Sequence, residues 1–362
     1  MMKAFCKRPI RWALFSLFFL LFVSIGLTVL FGLEDFDLSP HPEQEITFDH
    51  NGWTISGSLY VPEGVSAPPV VILVHGDGPQ DRYANGAYLP LINFLLDEGF
   101  AAFSWDKPGV GKSTGLWLSQ SMEERAHLSL KALETLLEVD EFDSSIIGFI
   151  GFSQAGWVLP EIAIQGSAAD FYILIGAAID WMDQGAYFTQ KRLEAEGASE
   201  EEIARTLNDF ELDVNRLSDP KLTYQDYMAD QSDNADFSEE RFGFVRRNLT
   251  ANSEEALLLT SAPFLVLHGA QDLNVDAVSD HRRFRDLLGS RNPATDFHLI
   301  ENATHGLLNT DLFNYQLPSH MPFWSEWAYL ALGRDAYADG VLEIMGDWIK
   351  ARAASQPAAI QK

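Results

Sequence analysis

Ser153, Asp272 and His305 each stand just beyond a short apolar run, and together they have the makings of an activated hydroxyl. A serine attacks poorly until a neutral imidazole takes its proton, and the imidazole needs a carboxylate to fix its tautomer and stabilise its cation. The serine lies in Gly151-Phe152-Ser153-Gln154-Ala155-Gly156, directly after the strand-like run Ile146 to Ile150. A turn from strand into helix at such a place lifts the hydroxyl clear of a sheet, provided its neighbours are small. Gly151 supplies that smallness two places before the serine. The second expected glycine is Ala155, with Gly156 one place later. On its own, a serine between small residues is equally a helix N-cap.

Acyl transfer also needs two backbone N–H donors aimed at the developing oxyanion, one after the nucleophile and one in a loop after an earlier strand. Val70 to Val74 reads as a buried strand and runs into His75-Gly76-Asp77-Gly78-Pro79-Gln80-Asp81-Arg82. The expected donors are the amides of Gln154 and Asp77, with Gly78 as the substitute for Asp77. Pro263 to Leu267 repeats the buried pattern and closes with His268-Gly269-Ala270-Gln271-Asp272. Asp296 to Ile300 alternates like a strand and leads into Glu301-Asn302-Ala303-Thr304-His305-Gly306. Asp180 and Asp183, beyond the run Phe171 to Ile175, are the alternative source of the acid. His75 and His268 end buried strands before glycines and read as hydrogen-bonded structural residues, as do His281, His298 and His320 in their helical, strand and loop settings.

These motifs resemble those of the α/β-hydrolases, over roughly residues 45 to 352. A fifth, Asp106-Lys107-Pro108-Gly109-Val110-Gly111-Lys112-Ser113 after the strand Ala101 to Trp105, is similar to the D-x-x-G-x-G-x-S turn of that superfamily. It is not a P-loop, which needs glycine at position 106. The HGDGPQDR stretch is similar to bacterial esterases related to the dienelactone hydrolase and prolyl oligopeptidase branches. Peptidases of that branch usually carry tyrosine after the nucleophile and then two glycines, where this chain has Gln154, Ala155 and Gly156, and the chain lacks the length for a propeller domain.

The resemblance implies an α/β fold with a mostly parallel central sheet and helices on both faces. It implies cleavage of a small-molecule ester with an apolar acyl group, through an acyl-enzyme on Ser153, and no cofactor. A thioesterase, acyltransferase or peptidase of the same fold, and a catalytically silent binding module, stay as alternatives. The 86 residues 177–262, between two strand-like runs, exceed an ordinary connection and are expected to form a helical lid inserted between core segments 34–176 and 263–362. Within them Ser199 and Glu202 make a capping box, and Ile203, Leu207, Phe210, Val214 and Leu217 recur at helical spacing before Pro220. Met321 to Leu332 concentrates Phe323, Trp324, Trp327 and Tyr329, a core segment by the simplest reading and otherwise a wall for an apolar pocket or a surface leaning on a membrane.

Composition narrows the context. All 52 acidic residues and all but four of the 25 basic ones lie beyond residue 33, and the formal net charge of −27 argues against nucleic acid as a partner. Cys6 is the only cysteine, so no disulfide and no cysteine metal site can form within the chain, and no H-E-x-x-H motif is present. Trp12 to Leu33 holds no charge and as a helix would measure about 33 Å, against a hydrocarbon core of about 30 Å. With Lys3, Lys7, Arg8 and Arg11 before it and Glu34, Asp35 and Asp37 after it, residues 1–33 are expected to be an uncleaved transmembrane anchor, placing the catalytic domain outside the cytoplasm.

Overall fold

Eight strands make one sheet: β1 (Glu43–His50), β2 (Trp53–Tyr60), β3 (Val70–Val74), β4 (Ala101–Trp105), β5 (Ile147–Phe152), β6 (Phe171–Ile175), β7 (Phe264–Gly269) and β8 (Asp296–Ile300), in the order β1-β2-β4-β3-β5-β6-β7-β8. The computed structural model describes residues 15–16, 23, 26–139, 146–229 and 237–355. Only β2 runs against the others.

The central strands are apolar throughout because both faces of the sheet are covered. Val70, Ile72 and Val74 enter one core, and Val71 and Leu73 the other; β6 and β7 divide their side chains the same way. Helices α1 (Leu89–Asp97) and, near the C-terminus, Val341–Ser355 cover one face. The other is covered by α2 (Met122–Leu137), α3 (Leu159–Ile164) and the helix Ala277–Leu288.

Between β6 and β7 the chain forms α4 (Trp181–Ala195), α5 (Glu200–Leu217), α6 (Tyr224–Ala229), α7 (Glu239–Asn248) and α8 (Glu254–Leu259). The Ser199–Glu202 capping box opens α5, and the stripe that follows has its C-terminal members Val214 and Leu217 in a small separate core with Tyr227, Phe242 and Leu249. Beyond α9 (Ala277–Leu288) and β8 come α10 (Thr310–Phe313), α11 (Ser325–Leu332) and α12 (Val341–Ser355).

The N-terminal expectation is corrected. Among the described residues no helix is long and apolar enough to cross a membrane, which counts against the transmembrane helix over 12–33 and the extracytoplasmic anchoring read from it. Residues 12–14, 17–22 and 24–25 of that stretch lie outside the described residues. Its end at 26–34 is helical and is used in packing on the body. Gly32 lies against the backbone of Ala331 and Leu332, where no side chain would fit. Just beyond it, Asp35 pairs with Arg334 at 2.7 Å, and the Asn93 amide donates to the carbonyls of Glu34 and Asp37. At Gly32, at least, the lack of a charged side chain serves contact with protein.

The turn after β4 is held by a buried ion pair. Arg82 donates to Asp106 through Nε and Nη2, at 3.1 and 2.8 Å, and its remaining N–H groups reach the hydroxyls of Ser56 and Ser58. Backbone N–H groups of Arg82 and Lys112 complete the carboxylate's shell. Burial pushes the Asp106 carboxyl up, but these bonds and the Arg82 charge outweigh it and hold it below its ordinary 3.8. Removing one partner of such a pair leaves a buried charge uncompensated, at a cost of about 3–5 kcal/mol. Arg82→Met is expected to lose about that much in urea unfolding at pH 7. Because the Asp106 pKa is lowered on folding, its contribution is present above the unfolded carboxyl's pKa and is lost as the pH falls through the folded one. The wild-type advantage over Arg82→Met should therefore shrink in acid below about pH 4.

Candidate active site

Ser153 sits at the carboxyl end of β5 with φ +52°, in the left-handed region that an L-residue enters only at a cost. A 3₁₀ turn, Ser153–Trp157, follows and passes into α3, so the expected strand-to-helix turn is sharper than a plain helix start. Ala155 takes the place of the second glycine because of what faces it. A side chain on Gly151 would come within 2.7 Å of the Ala155 methyl, and one on Gly156 within 2.7 Å of the Ala177 methyl. Gly156 thus admits the backbone after β6, and the alanine fits because Gly151 leaves room for it.

The sheet register brings the other candidates to the same end. Phe152 pairs with Ile175, which sets Ser153 beside Gly176 across β5 and β6. Gly176 lies under the His305 ring, where a Cβ would stand 2.9 Å from Nδ1. Asp272 follows β7, His305 follows β8, and these strands are neighbours. His305 Nδ1 donates to Asp272 Oδ2 at 2.7 Å. The other carboxylate oxygen accepts the N–H groups of Asn274 and Val275 at 2.7 and 2.9 Å, which fixes the carboxylate's orientation. Burial pulls the His305 pKa down, but the Asp272 charge and hydrogen bond together raise it above 6.5. With Nδ1–H so engaged, a neutral imidazole has Nε2 as its acceptor.

The alternative acids are placed elsewhere. Asp180 caps α4 by accepting the N–H groups of Met182 and Asp183 and also bonds Asn252, while Asp183 pairs with Arg283 at 3.0 Å. His75 and His268 each bond a backbone carbonyl, of Trp105 at 2.6 Å and of Ala177 at 2.8 Å. Desolvation lowers both, His75 to about 3, so both are neutral.

The loop after β3 rests on two buried cations that sequence reasoning passed over. Lys107 Nζ donates to the carbonyls of Gly76 at 2.6 Å and Gly78 at 2.8 Å, and its ammonium lies 4.9 Å from the centre of the Trp117 ring. Arg125, on α2, donates to the Gln154 side-chain oxygen at 3.0 Å and to the carbonyls of His75 and Gly76. Burial, then the neighbouring Arg125 charge, pull Lys107 well below the lysine range; burial lowers Arg125 to about 10, which leaves it charged at neutral pH. No described peptide bond is cis, and in a trans peptide the C=O and the next N–H point opposite ways. A Gly76 carbonyl turned to Lys107 therefore turns the Asp77 N–H away from it. The Asp77 side chain is engaged by Arg241 of α7, both carboxylate oxygens at 3.3 Å. Arg125 did leave a trace in the sequence: Met122, Arg125, Ala126 and Ser129 share the buried face of α2.

The 177–262 segment is fastened to both site loops. Tyr187 and Gln184 of α4 donate to the carbonyls of Asp272 and Asn274, and Arg241 holds Asp77. None of its described residues lines the apolar cavity of about 830 Å³ beside His305. That cavity is walled by residues 85–89, Phe152 and the stretch from Leu273 to Tyr337, including Met321, Tyr329 and Leu330 of the aromatic segment. Phe323 and Trp327 of the same segment are exposed, against the simple core reading.

The fold agrees with known proteins. The chain is similar in structure to an esterase of Pyrococcus furiosus, with 17% identity and a TM-score of 0.55 over 86% of this chain and 92% of that one. It is similar to Est1E of Butyrivibrio proteoclasticus, solved with ferulic acid bound, at 17% identity and a TM-score of 0.51 over 86% and 98%. An acylaminoacyl peptidase of Pyrococcus horikoshii matches at 13% identity and a TM-score of 0.51, over 89% of this chain and 43% of that one. No curated protein sequence matches the chain. The model of the serine aminopeptidase S33 hydrolases matches residues 66–311, more than half the length, and the chain belongs to that α/β-hydrolase family.

Proposed function

We propose that the protein hydrolyses carboxylic esters through an acyl-enzyme intermediate. Ser153 is the nucleophile, His305 its base and then the acid for the leaving group, and Asp272 holds the imidazole. The observation that carries this is the 2.7 Å His305–Asp272 bond at the same sheet end as a serine held in a left-handed backbone. In acylation the Ser153 oxygen bonds to the carbonyl carbon as its proton passes to His305. The negative charge gathers on the carbonyl oxygen, facing the N–H groups of Asp77 and Gln154. The ester C–O bond then breaks, His305 gives its proton to the departing alcohol, and water repeats the sequence to free the acid.

Esterase names among proteins of similar fold support the ester reading. The family's own name favours a second reading, a peptidase. An aminopeptidase must recognise a substrate ammonium, and among the described residues the only carboxylate lining the cavity beside His305 is the exposed Glu326. A matched panel of aryl esters and aminoacyl amides separates the two. The 177–262 segment is, on this reading, a cover that braces the acid and oxyanion loops.

Ser153→Ala is expected to abolish labelling by a fluorophosphonate probe and to lower kcat by about 10³–10⁶, with the unfolding midpoint retained. Asp180→Asn and Asp183→Asn should keep turnover. Full activity in pure Ser153→Ala would move the nucleophile elsewhere.

The base works only while neutral, and its pKa is raised, so kcat/KM should fall as the pH drops through a midpoint above 6.5. Asp272→Asn removes the charge that does most to raise the ring's pKa against burial, and the His305 midpoint read by NMR should fall. An unmoved midpoint would show that Asp272 does not act on the imidazole.

Lys107→Met removes the 2.6 Å bond to the Gly76 carbonyl, leaving it only the 3.4 Å contact from Arg125, and so loosens the direction of the Asp77 N–H. It should lower kcat about 10- to 10²-fold, short of the about 10²–10³ lost with a whole oxyanion donor, and leave KM within about threefold. A change confined to KM would place Lys107 in substrate binding instead.

A further inference from the structure

The cavity of about 830 Å³ is of a size to enclose a whole bulky group, and its walls are rich in rings: Tyr88, Phe152, Phe313, Tyr329 and Tyr337 among them. Its position relative to the reacting atoms is specific. Its lining includes His305 and both neighbours of that residue, Thr304 and Gly306, and Phe152 beside the nucleophile, but not Ser153 itself, Asp77 or Gln154. Two of its walls are tied together: the Tyr329 hydroxyl on α11 donates to the Ala87 carbonyl at 2.9 Å, and the Tyr329 ring meets Phe36 and Phe313 edge-on at 5.3 and 6.1 Å.

Resting on the ester reading, we infer that this cavity holds the alcohol half of the substrate, and that this half is a bulky, uncharged aromatic or alicyclic group. In acylation the oxygen that must come within reach of His305 is the one leaving the carbonyl carbon, since it receives the imidazolium proton as its bond to carbon breaks. The group attached to that oxygen therefore lies on the His305 side. The carbonyl oxygen is turned to the amides at 77 and 154, outside the cavity. Ring-lined walls, with Glu326 as the only carboxylate among the described residues, favour aromatic and alicyclic carbon over an anionic group.

Two isomeric esters test the assignment on the full chain, because they carry the same atoms with the ester reversed. In 2-naphthylmethyl acetate the ring is on the alcohol, and in methyl 2-naphthylacetate it is on the acyl group. Wild-type kcat/KM should favour the first by at least about tenfold. Leu330→Trp, which fills the cavity from α11, should cut turnover of 2-naphthylmethyl acetate at least about tenfold more than that of ethyl acetate. Leu330→Ala enlarges the cavity, and should raise the preference for 1-pyrenylmethyl acetate over 2-naphthylmethyl acetate. A wild-type preference for methyl 2-naphthylacetate overturns the inference. So does an equal loss on all esters in Leu330→Trp, or an unchanged order in Leu330→Ala. If wild type cleaves none of these esters nor p-nitrophenyl acetate, the ester reading itself fails.

Discussion

The left-handed backbone of Ser153 is the constraint around which the rest is arranged. For a residue with a side chain that conformation costs about 1–2 kcal/mol, and it persists only where the surroundings leave no alternative. Here β5 is fixed between β3 and β6 in the middle of the sheet, and the chain must turn at once into the 3₁₀ turn that leads to α3. Gly151 and Gly156 remove the two side chains that would obstruct the turn, one toward Ala155 and the other toward Ala177. A serine hydroxyl at the rim of an otherwise buried sheet is the product of that crowding.

Charge is distributed in the same service. The protein carries a net charge of −27, yet the loop beside Ser153 is backed by two buried basic side chains bonded mainly to carbonyl oxygens. Arg82 and Asp106 satisfy each other, whereas Lys107 and Arg125 have no carboxylate within hydrogen-bond distance among the described residues, and Asp77, their acidic neighbour, bonds Arg241. Fixed positive charge in a poorly polarisable interior acts more strongly than it would in water. A developing negative charge near the Asp77 amide would be favoured both by the direction of that N–H and by the Arg125 charge behind its peptide. Burial costs Lys107 part of its own basicity, which is the expense of this arrangement.

Periodicity made the scaffold legible. Continuous apolar runs gave β3, β4 and β6 with their ends, because strands covered on both faces contain little else. The boundaries of β5 and β7 differ by one or two residues, since pairing continues to Phe152 and Gly269, into the motifs themselves. Residues that share one loop could be grouped by eye, and so could the Ser199–Glu202 cap. The seats of Lys107 and Arg125 could not, because a cation's partners here are backbone carbonyls distant in sequence, which leave no residue type to recognise. The charge-free stretch 12–33 misled for a related reason. Absence of charge is required both by a lipid core and by a close contact such as Gly32 on Ala331, and hydropathy does not tell them apart.

The two segments that surround the site have different attachments, and this divides their labour. Residues 177–262 carry a small core of their own and reach the site through hydrogen bonds to the Asp272 loop and the exposed Arg241–Asp77 pair. Such contacts hold loops in register but bring few apolar atoms to the cavity. The wall after His305 is built the other way. Tyr329 packs its ring against Phe36 and Phe313 while its hydroxyl reaches Ala87, and α11 leans on the end of the N-terminal segment through Gly32 and the Arg334–Asp35 pair. The shape of the cavity thus depends on residues 32–36, far in sequence from every motif, of which Phe36 lines the same cavity as the proposed base and meets the Tyr329 ring. A change there would be felt in what the site accepts before it was felt in the bond that is broken.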